Sequence, residues 1–202
     1  MNLEYRRQLV HLSGILFVFL AQYTGRFIGV FIFAILTLTF IYYSEFVRRQ
    51  HRHLFLIKQL EARVRNFAMK FERTAVPRPF LGAIWFYAGC TVAFVLFPLE
   101  IASLACLVLA VGDAVATAIG SNLGKHRLLD KKTIEGTAAF FFVSLFVLVV
   151  FVPPTVALVT ALLATIAELL PSIEPLRKIK QRGLLDDNLL IPLVTGIVLV
   201  LV

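Results

Sequence analysis

Acidic residues are scarce in this chain. It has 12 Asp and Glu against 20 Lys and Arg in 202 residues, a formal net charge of +8. Cysteine is scarcer still. Cys90 and Cys106 lie in apolar runs with no CxxC or ligand-like spacing, so they read as buried thiols and say nothing about redox compartment. No small-residue cleavage site ends the first apolar run, so that run is expected to remain in the protein rather than leave as a signal peptide. Internal repeats and low-complexity tails are also missing. What remains is apolar: 59% hydrophobic residues, 19 Phe and a mean hydropathy of +0.88. Apolar runs from end to end exclude a soluble domain. They predict one all-α integral membrane domain over residues 1–202, a polytopic transmembrane helix bundle.

About seven spans are expected, roughly Leu9–Tyr23, Phe27–Val47, Phe80–Phe97, Ile101–Ile119, Thr137–Val152, Thr155–Leu170 and Leu189–Val202. Basic residues orient them. Two precede span one (Arg6, Arg7), nine lie between Arg48 and Arg78, four follow span four and four follow span six. Only Arg26 falls on the opposite side. The positive-inside rule then places the amino terminus in the cytoplasm and the carboxyl terminus outside. The net positive charge is thus a topology signal first and an attraction to acidic headgroups second, with no need for a nucleic-acid partner. Between Arg48 and Arg78, the apolar residues Ile57, Leu60, Val64, Phe67, Ala68 and Phe71 recur at helical spacing among basic ones. That pattern predicts a cytoplasmic amphipathic segment over about 48–78 on the membrane surface, serving as anchor or lending Arg63 or Arg73 to a phosphate.

With this topology the unusual polar residues gather at one depth. His11, Glu45, Asp113, Glu168 and Asp186-Asp187-Asn188 all lie toward the cytoplasmic ends of spans. Asp113 precedes Ser121 by eight residues, about 12 Å inside the span end. A carboxylate there costs about 3 kcal/mol by insertion scales, which marks it as functional. A channel or carrier places polar groups nearer the midplane. A site at the cytoplasmic boundary suits a soluble charged substrate meeting a lipid one.

The most informative stretch is Gly112 to Phe140, GDAVATAIGSNLGKHRLLDKKTIEGTAAF. Asp113, Thr117, Gly120 and Gly124 share one helix face, and Lys125, Lys131, Lys132, Thr133, Glu135 and Gly136 lead into the next apolar run. An acid for a metal, glycines for close backbone approach and paired lysines at a helix start suit a polyphosphate. A structural alternative exists for each: an interhelical hydrogen bond for Asp113, helix packing for the glycines, topology for the lysines. Glu4, Arg7 and His11 share a face of span one. Asp186-Asp187-Asn188 either caps span seven or offers hard oxygen ligands suited to Mg²⁺. Pro192 predicts a kink. Span seven has no Lys for a retinal Schiff base.

Three segments carry a family resemblance: GDAVATAIG, KKTIEGTAAFF and DDNLLIPL. With EYRRQLVHLSG and FERTAVPRPFLGAIWFYAG, the chain resembles, over nearly its whole length and in order, the dolichol kinase, phytol kinase and CTP-dependent diacylglycerol kinase family. The resemblance implies an enzyme that moves the γ-phosphoryl group of a nucleoside triphosphate, usually CTP, to a lipid alcohol. It implies a multi-pass protein of the plasma membrane in a prokaryote or the endoplasmic reticulum in a eukaryote. The related phosphatidate cytidylyltransferases share part of the motif but carry a His-Gly-Gly signature before the last span. Here that place reads LPSIEPLRKIKQRGLLDDN, which favours kinase over cytidylyltransferase. A non-catalytic membrane carrier or assembly module is the third alternative.

Phosphoryl transfer needs positioning and charge neutralisation more than covalent help. On the family's pattern, Asp113 and Asp187, assisted by Asn188, are expected to hold Mg²⁺. One of these two carboxylates would also be the catalytic base. The nucleotide would lie against Gly120, Gly124, Lys125, Lys131, Lys132, Thr133, Glu135 and Gly136. The lipid hydroxyl would enter among spans one, four and seven, near Arg7 and His11.

Overall fold

The computed structural model describes residues 3–49, 79–130, 132–181 and 183–202. Helices occupy nearly all of them: α1 (Leu3–Thr24), α2 (Arg26–Arg49), α3 (Leu81–Leu96), α4 (Leu99–Leu123), α5 (Ile134–Val149), α6 (Pro154–Leu169), the short α7 (Leu176–Gln181) and α8 (Asp187–Leu201). Each apolar run read from the sequence forms one helix, with ends shifted by a few residues. Three helical stretches, Arg26–Phe46, Leu99–Leu123 and Pro154–Ser172, are long and apolar enough to cross a membrane; the other apolar helices are shorter. Large apolar side chains cover the outside, among them Phe19, Phe27, Phe31, Phe142 and Phe146. The amphipathic segment expected over 48–78 lies outside the described residues, except that residues 48 and 49 end α2.

The breaks between helices have local causes. Gly25, at φ 98, separates α1 from α2 in a conformation that costs glycine little. Pro98 and Pro153 precede α4 and α6, and Pro154 opens α6 at a position where no N–H is needed. Thr133 caps α5, its hydroxyl accepting from the Gly136 N–H at 3.1 Å. Arg26, the one basic residue expected on the far face, closes α3: its guanidinium donates to the Phe94 and Val95 carbonyls at 2.9 and 2.7 Å. A cation there meets the negative end of the helix dipole, which gives Arg26 a structural reason to depart from the charge bias.

The all-α expectation needs one addition. The stretch after α4 forms a small antiparallel hairpin, β1 (Arg127–Leu129) with β2 (Lys132–Thr133), pairing Arg127 with Thr133. Asp130 takes a left-handed φ of 47 at the turn, a conformation Asp tolerates better than most residues. The hairpin carries Lys132 back toward the bundle.

Helix α4 is the axis of the bundle, packing against α1, α3, α5 and α8, while α6 closes a ring between α5 and α8. In its span α4 is 61% buried, against 17% for α2. Small residues make the approach close. A Cβ at Gly112 would stand 2.7 Å from the Phe140 ring, and Gly14 faces Phe86 in the same way. Pro192 lies inside α8, where its missing N–H leaves the Asn188 carbonyl without its usual helical partner. That carbonyl faces Gly89 of α3 so closely that a Cβ there would sit 2.2 Å away. The proline predicted as a kink site therefore marks a contact between α8 and α3.

Candidate functional site

Four separate parts of the chain meet at one end of the bundle. Lys132, delivered by β2, donates from Nζ to Glu168 Oε1 at the end of α6 and to Asp187 Oδ2 at the start of α8, the latter at 2.9 Å. Lys180 of α7 donates to the other oxygen of Asp187 at 3.1 Å. Glu168 and Asp187 are both buried. Taking ions out of water is unfavourable, so each requires a partner of opposite charge. Burial works against the Lys132 ammonium, but Asp187, Glu168 and Asp113 more than offset it and hold its pKa above the ordinary lysine value. Glu168 Oε2 is buried without a hydrogen-bond partner among the described residues.

Asp113 lies on the neighbouring face of α4. His11 Nδ1 of α1 is 3.0 Å from Asp113 Oδ2, a contact made across 102 positions of sequence. The His11 ring stacks on Phe86 with centroids 4.6 Å apart and is 5% exposed. The carboxylate fixes one ring nitrogen and the phenyl fixes the ring plane, so His11 is held rather than free to swing.

Asp186 and Asn188 divide the work expected of the acidic triplet. Asp186 is the cap of α8, its Oδ1 accepting from the Asn188 backbone N–H at 3.1 Å and from Asn188 Nδ2 at 2.6 Å. Burial, then the charge of Asp187 beside it, raises the Asp186 pKa above the usual carboxylate value. The capping role thus leaves Asp187 available to the lysines.

Gly120, Gly124 and Gly136 converge on Thr133 where α4 meets α5. A Cβ on Gly136 would lie 3.0 Å from the Ala116 carbonyl oxygen and 3.2 Å from Gly120 Cα. A Cβ on Gly124 would lie 2.2 Å from the Gly120 carbonyl oxygen. These glycines serve helix packing first, bringing Thr133 and the Lys132 strand against α4. Glu135 is turned to His126, whose Nδ1 lies 2.7 Å from its Oε1 and whose backbone N–H donates to it at 3.2 Å. Lys125 is exposed at the end of α4. The side chain of Arg7 and all of Lys131 lie outside the described residues.

The structure thus brings together Asp113, Lys132, Asp187 and Asn188 from the expected set, pairs Asp113 with His11, the residue expected at the lipid entrance, and adds two groups not assigned to the site from sequence. In the sequence Lys180 is one of four basic residues after span six and reads only as a topology charge. Glu168 carried a usable signal, an acid at the end of an apolar run. Among the described residues no group of three or more His, Cys, Asp or Glu is placed to hold a metal ion. No family model, curated protein or solved structure matches the chain.

Proposed function

We propose that this chain is a CTP-dependent lipid-alcohol kinase, a membrane protein of about seven spans with its amino terminus in the cytoplasm. The lipid is a polyprenol, a phytol-like alcohol or diacylglycerol. The membrane is the plasma membrane of a prokaryote or the endoplasmic reticulum of a eukaryote.

The observation that carries this reading is Lys132 between Glu168 and Asp187, with Asp113 close enough to act on the same ammonium. The acids come from α4, α6 and α8 and the cation from β2, and they meet beside a small hairpin with exposed residues. Such a set suits a triphosphate. Lys132 and Lys180 are point charges for phosphate oxygens. In the free protein they neutralise Asp187, so phosphate oxygens compete with Asp187 for two lysines already placed there.

Mg²⁺ usually keeps several waters and binds through one or two carboxylates plus substrate phosphates. The residues present fit an ion that arrives with the triphosphate rather than one caged by protein alone. Asp113 and Asp187 would hold it, assisted by Asn188, and the ion would neutralise charge developing on the transferred phosphoryl group. Glu168 Oε2, which has no hydrogen-bond partner among the described residues, belongs to the carboxylate that pairs with Lys132 and supports an added positive charge there. The chain's own groups then act as follows. Lys132 and Lys180 hold phosphate oxygens, His11 keeps Asp113 oriented, and one of Asp113 and Asp187 accepts the proton of the attacking lipid hydroxyl.

Purified protein with Mg²⁺, CTP and a lipid-alcohol extract is expected to form a lipid monophosphate and CDP. Absence of lipid phosphate across CTP, ATP, GTP, UTP and a broad alcohol panel would overturn the reading and leave the ion cluster as a structural pin.

A further inference from the structure

One side of α7 is turned to the protein and the other is uncovered. The helix follows the end of α6 and precedes Asp187, so it stands at the end of the bundle where the acids meet. Arg177 and Lys180, three positions apart, share one side of it. Lys180 bonds Asp187 at 3.1 Å, and Arg177 reaches Asp130 in the hairpin turn at 3.5 Å. Lys178 and Ile179 lie on the opposite side, and both are exposed.

Apolar residues flank that outward side. Ile173 before α7 and Leu184 after it are exposed as well. Along α6, Leu158, Leu162 and Ile166 form an exposed stripe at helical spacing, on a stretch long and apolar enough to cross a membrane. Ile173, seven positions after Ile166, prolongs that stripe in sequence. The exposed apolar surface of the span therefore runs on into the connection to α8. An amphipathic element of this kind lies in the bilayer interface, its apolar side chains below the headgroups. Lysine suits that depth, because its stem lies along acyl chains while the ammonium stays among headgroups.

Charge selects the headgroup. The exposed acids Asp130 and Glu174 are both engaged by the guanidinium of Arg177, Glu174 at 2.8 Å. Lys178 makes no ion pair among the described residues, whereas its neighbours Arg177 and Lys180 do. Lys125 and Arg127, on the stretch that Asp130 ties to α7, are exposed and add positive charge. An exposed cation among apolar side chains, with the nearby acids already paired, complements an anionic phospholipid better than a zwitterionic one.

We infer that the outward side of α7, with Ile173 and Leu184, is a docking surface for anionic phospholipid of the cytoplasmic leaflet, with Lys178 at the lipid phosphate. The inference rests on the proposed span arrangement, which puts this end of the bundle at the cytoplasmic boundary. It needs neither nucleotide nor phosphoryl transfer. It gives α7 one side for the lipid surface and one for Asp187.

The test uses the whole chain in phosphatidylcholine nanodiscs without nucleotide. Ile179→Cys carries a bimane fluorophore, while Cys90 and Cys106 are buried and stay unlabelled. Phosphatidylglycerol with a nitroxide near the top of its acyl chain is expected to quench the bimane at about fivefold lower mole fraction than phosphatidylcholine labelled in the same way, as one lysine at an anionic surface implies. Lys178→Gln is expected to remove most of that difference. A bimane at Phe146→Cys, on the exposed side of α5, is expected to be quenched by both lipids alike. Equal quenching at 179 by the two lipids would overturn the inference, and so would a preference that Lys178→Gln leaves unchanged. Quenching by neither would mean that water or protein covers the surface, and would overturn it too. Leu184→Cys repeats the measurement with the same expected results, so the outcome does not hang on one variant. Failure of the span arrangement is read separately, from cysteines at 121 and 100, and failure of the kinase reading from the absence of lipid phosphate.

Discussion

Lys132 Nζ lies 2.9 Å from Asp187 Oδ2, although 55 positions of sequence separate the two residues. The same ammonium also reaches Glu168, so one cation stands between two buried acids. Lys132→Ala leaves both acids facing each other. Removing one partner of a buried ion pair costs about 3–5 kcal/mol. Thermal unfolding in detergent should show that loss, and CTP affinity should fall with it. Lys132→Arg keeps the charge and should be milder on both counts. Unchanged stability and unchanged CTP affinity in a Lys131→Ala, Lys132→Ala double variant would leave the lysines as topology signals only.

The pH dependence of that contribution has a definite sign. The folded pKa of Lys132 is raised, so its stabilisation is fully present below the unfolded value and disappears only as pH rises through the higher folded one. The stability gap between the unsubstituted protein and Lys132→Ala should therefore not close between roughly pH 6 and 9. A gap that closes within that range, measured by unfolding at several pH values, would contradict the ion pairing.

Asp113 tests site against scaffold. Asp113→Asn preserves size and a hydrogen bond to His11 but removes the charge. The variant should fold and insert, with turnover down about 100-fold or more, the scale seen when one preorganised electrostatic group is removed. Near-normal turnover would assign Asp113 to helix packing.

The glycine cluster gives a graded expectation. At Gly124 a Cβ would meet the Gly120 backbone oxygen at 2.2 Å, whereas at Gly120 the nearest atom is the Thr133 hydroxyl at 3.1 Å. A side-chain hydroxyl can turn away and a carbonyl cannot. Gly124→Ala should therefore destabilise by about 1–3 kcal/mol and Gly120→Ala by less. Equal stability with a selective loss of CTP binding would instead make these glycines a phosphate cradle.

Much of this arrangement was legible in the sequence, and what was not has physical causes. Helix positions follow from apolar runs bounded by Gly25, Pro98, Pro153 and Asp186, which act locally. Asp113 and Asp187 stood out because a charge beside hydrocarbon needs a reason. The pairing of Lys132 with Glu168 was hidden because it joins a hairpin to the end of α6, and nothing local encodes that meeting. The hairpin leaves no signal in the sequence because five strand residues around Asp130 are too few for a period. The glycines carried the right spacing for either phosphate approach or packing, and only the facing helix separates the two. Arg26 read as an exception to the charge rule until α3 supplied the carbonyls it caps.

Topology can be read directly. Ser121 and Glu100 are exposed near opposite ends of α4, while Cys90 and Cys106 are buried and should stay silent. Single cysteines at 121 and 100 are expected to label from opposite sides of a sealed vesicle, with 121 cytoplasmic. Labelling of both from the same side would remove the seven-span arrangement, and with it the gathering of the acids at one face.

The most direct measurement follows label from CTP into lipid. With Mg²⁺ and a lipid-alcohol extract, γ-labelled CTP should pass its label to the lipid phase and release CDP, while α-labelled CTP should leave its label in water. That is the signature of a lipid hydroxyl attacking the γ-phosphorus. Appearance of the α-label in lipid, with pyrophosphate released, would contradict it and assign the same acids and lysines to cytidylyl transfer.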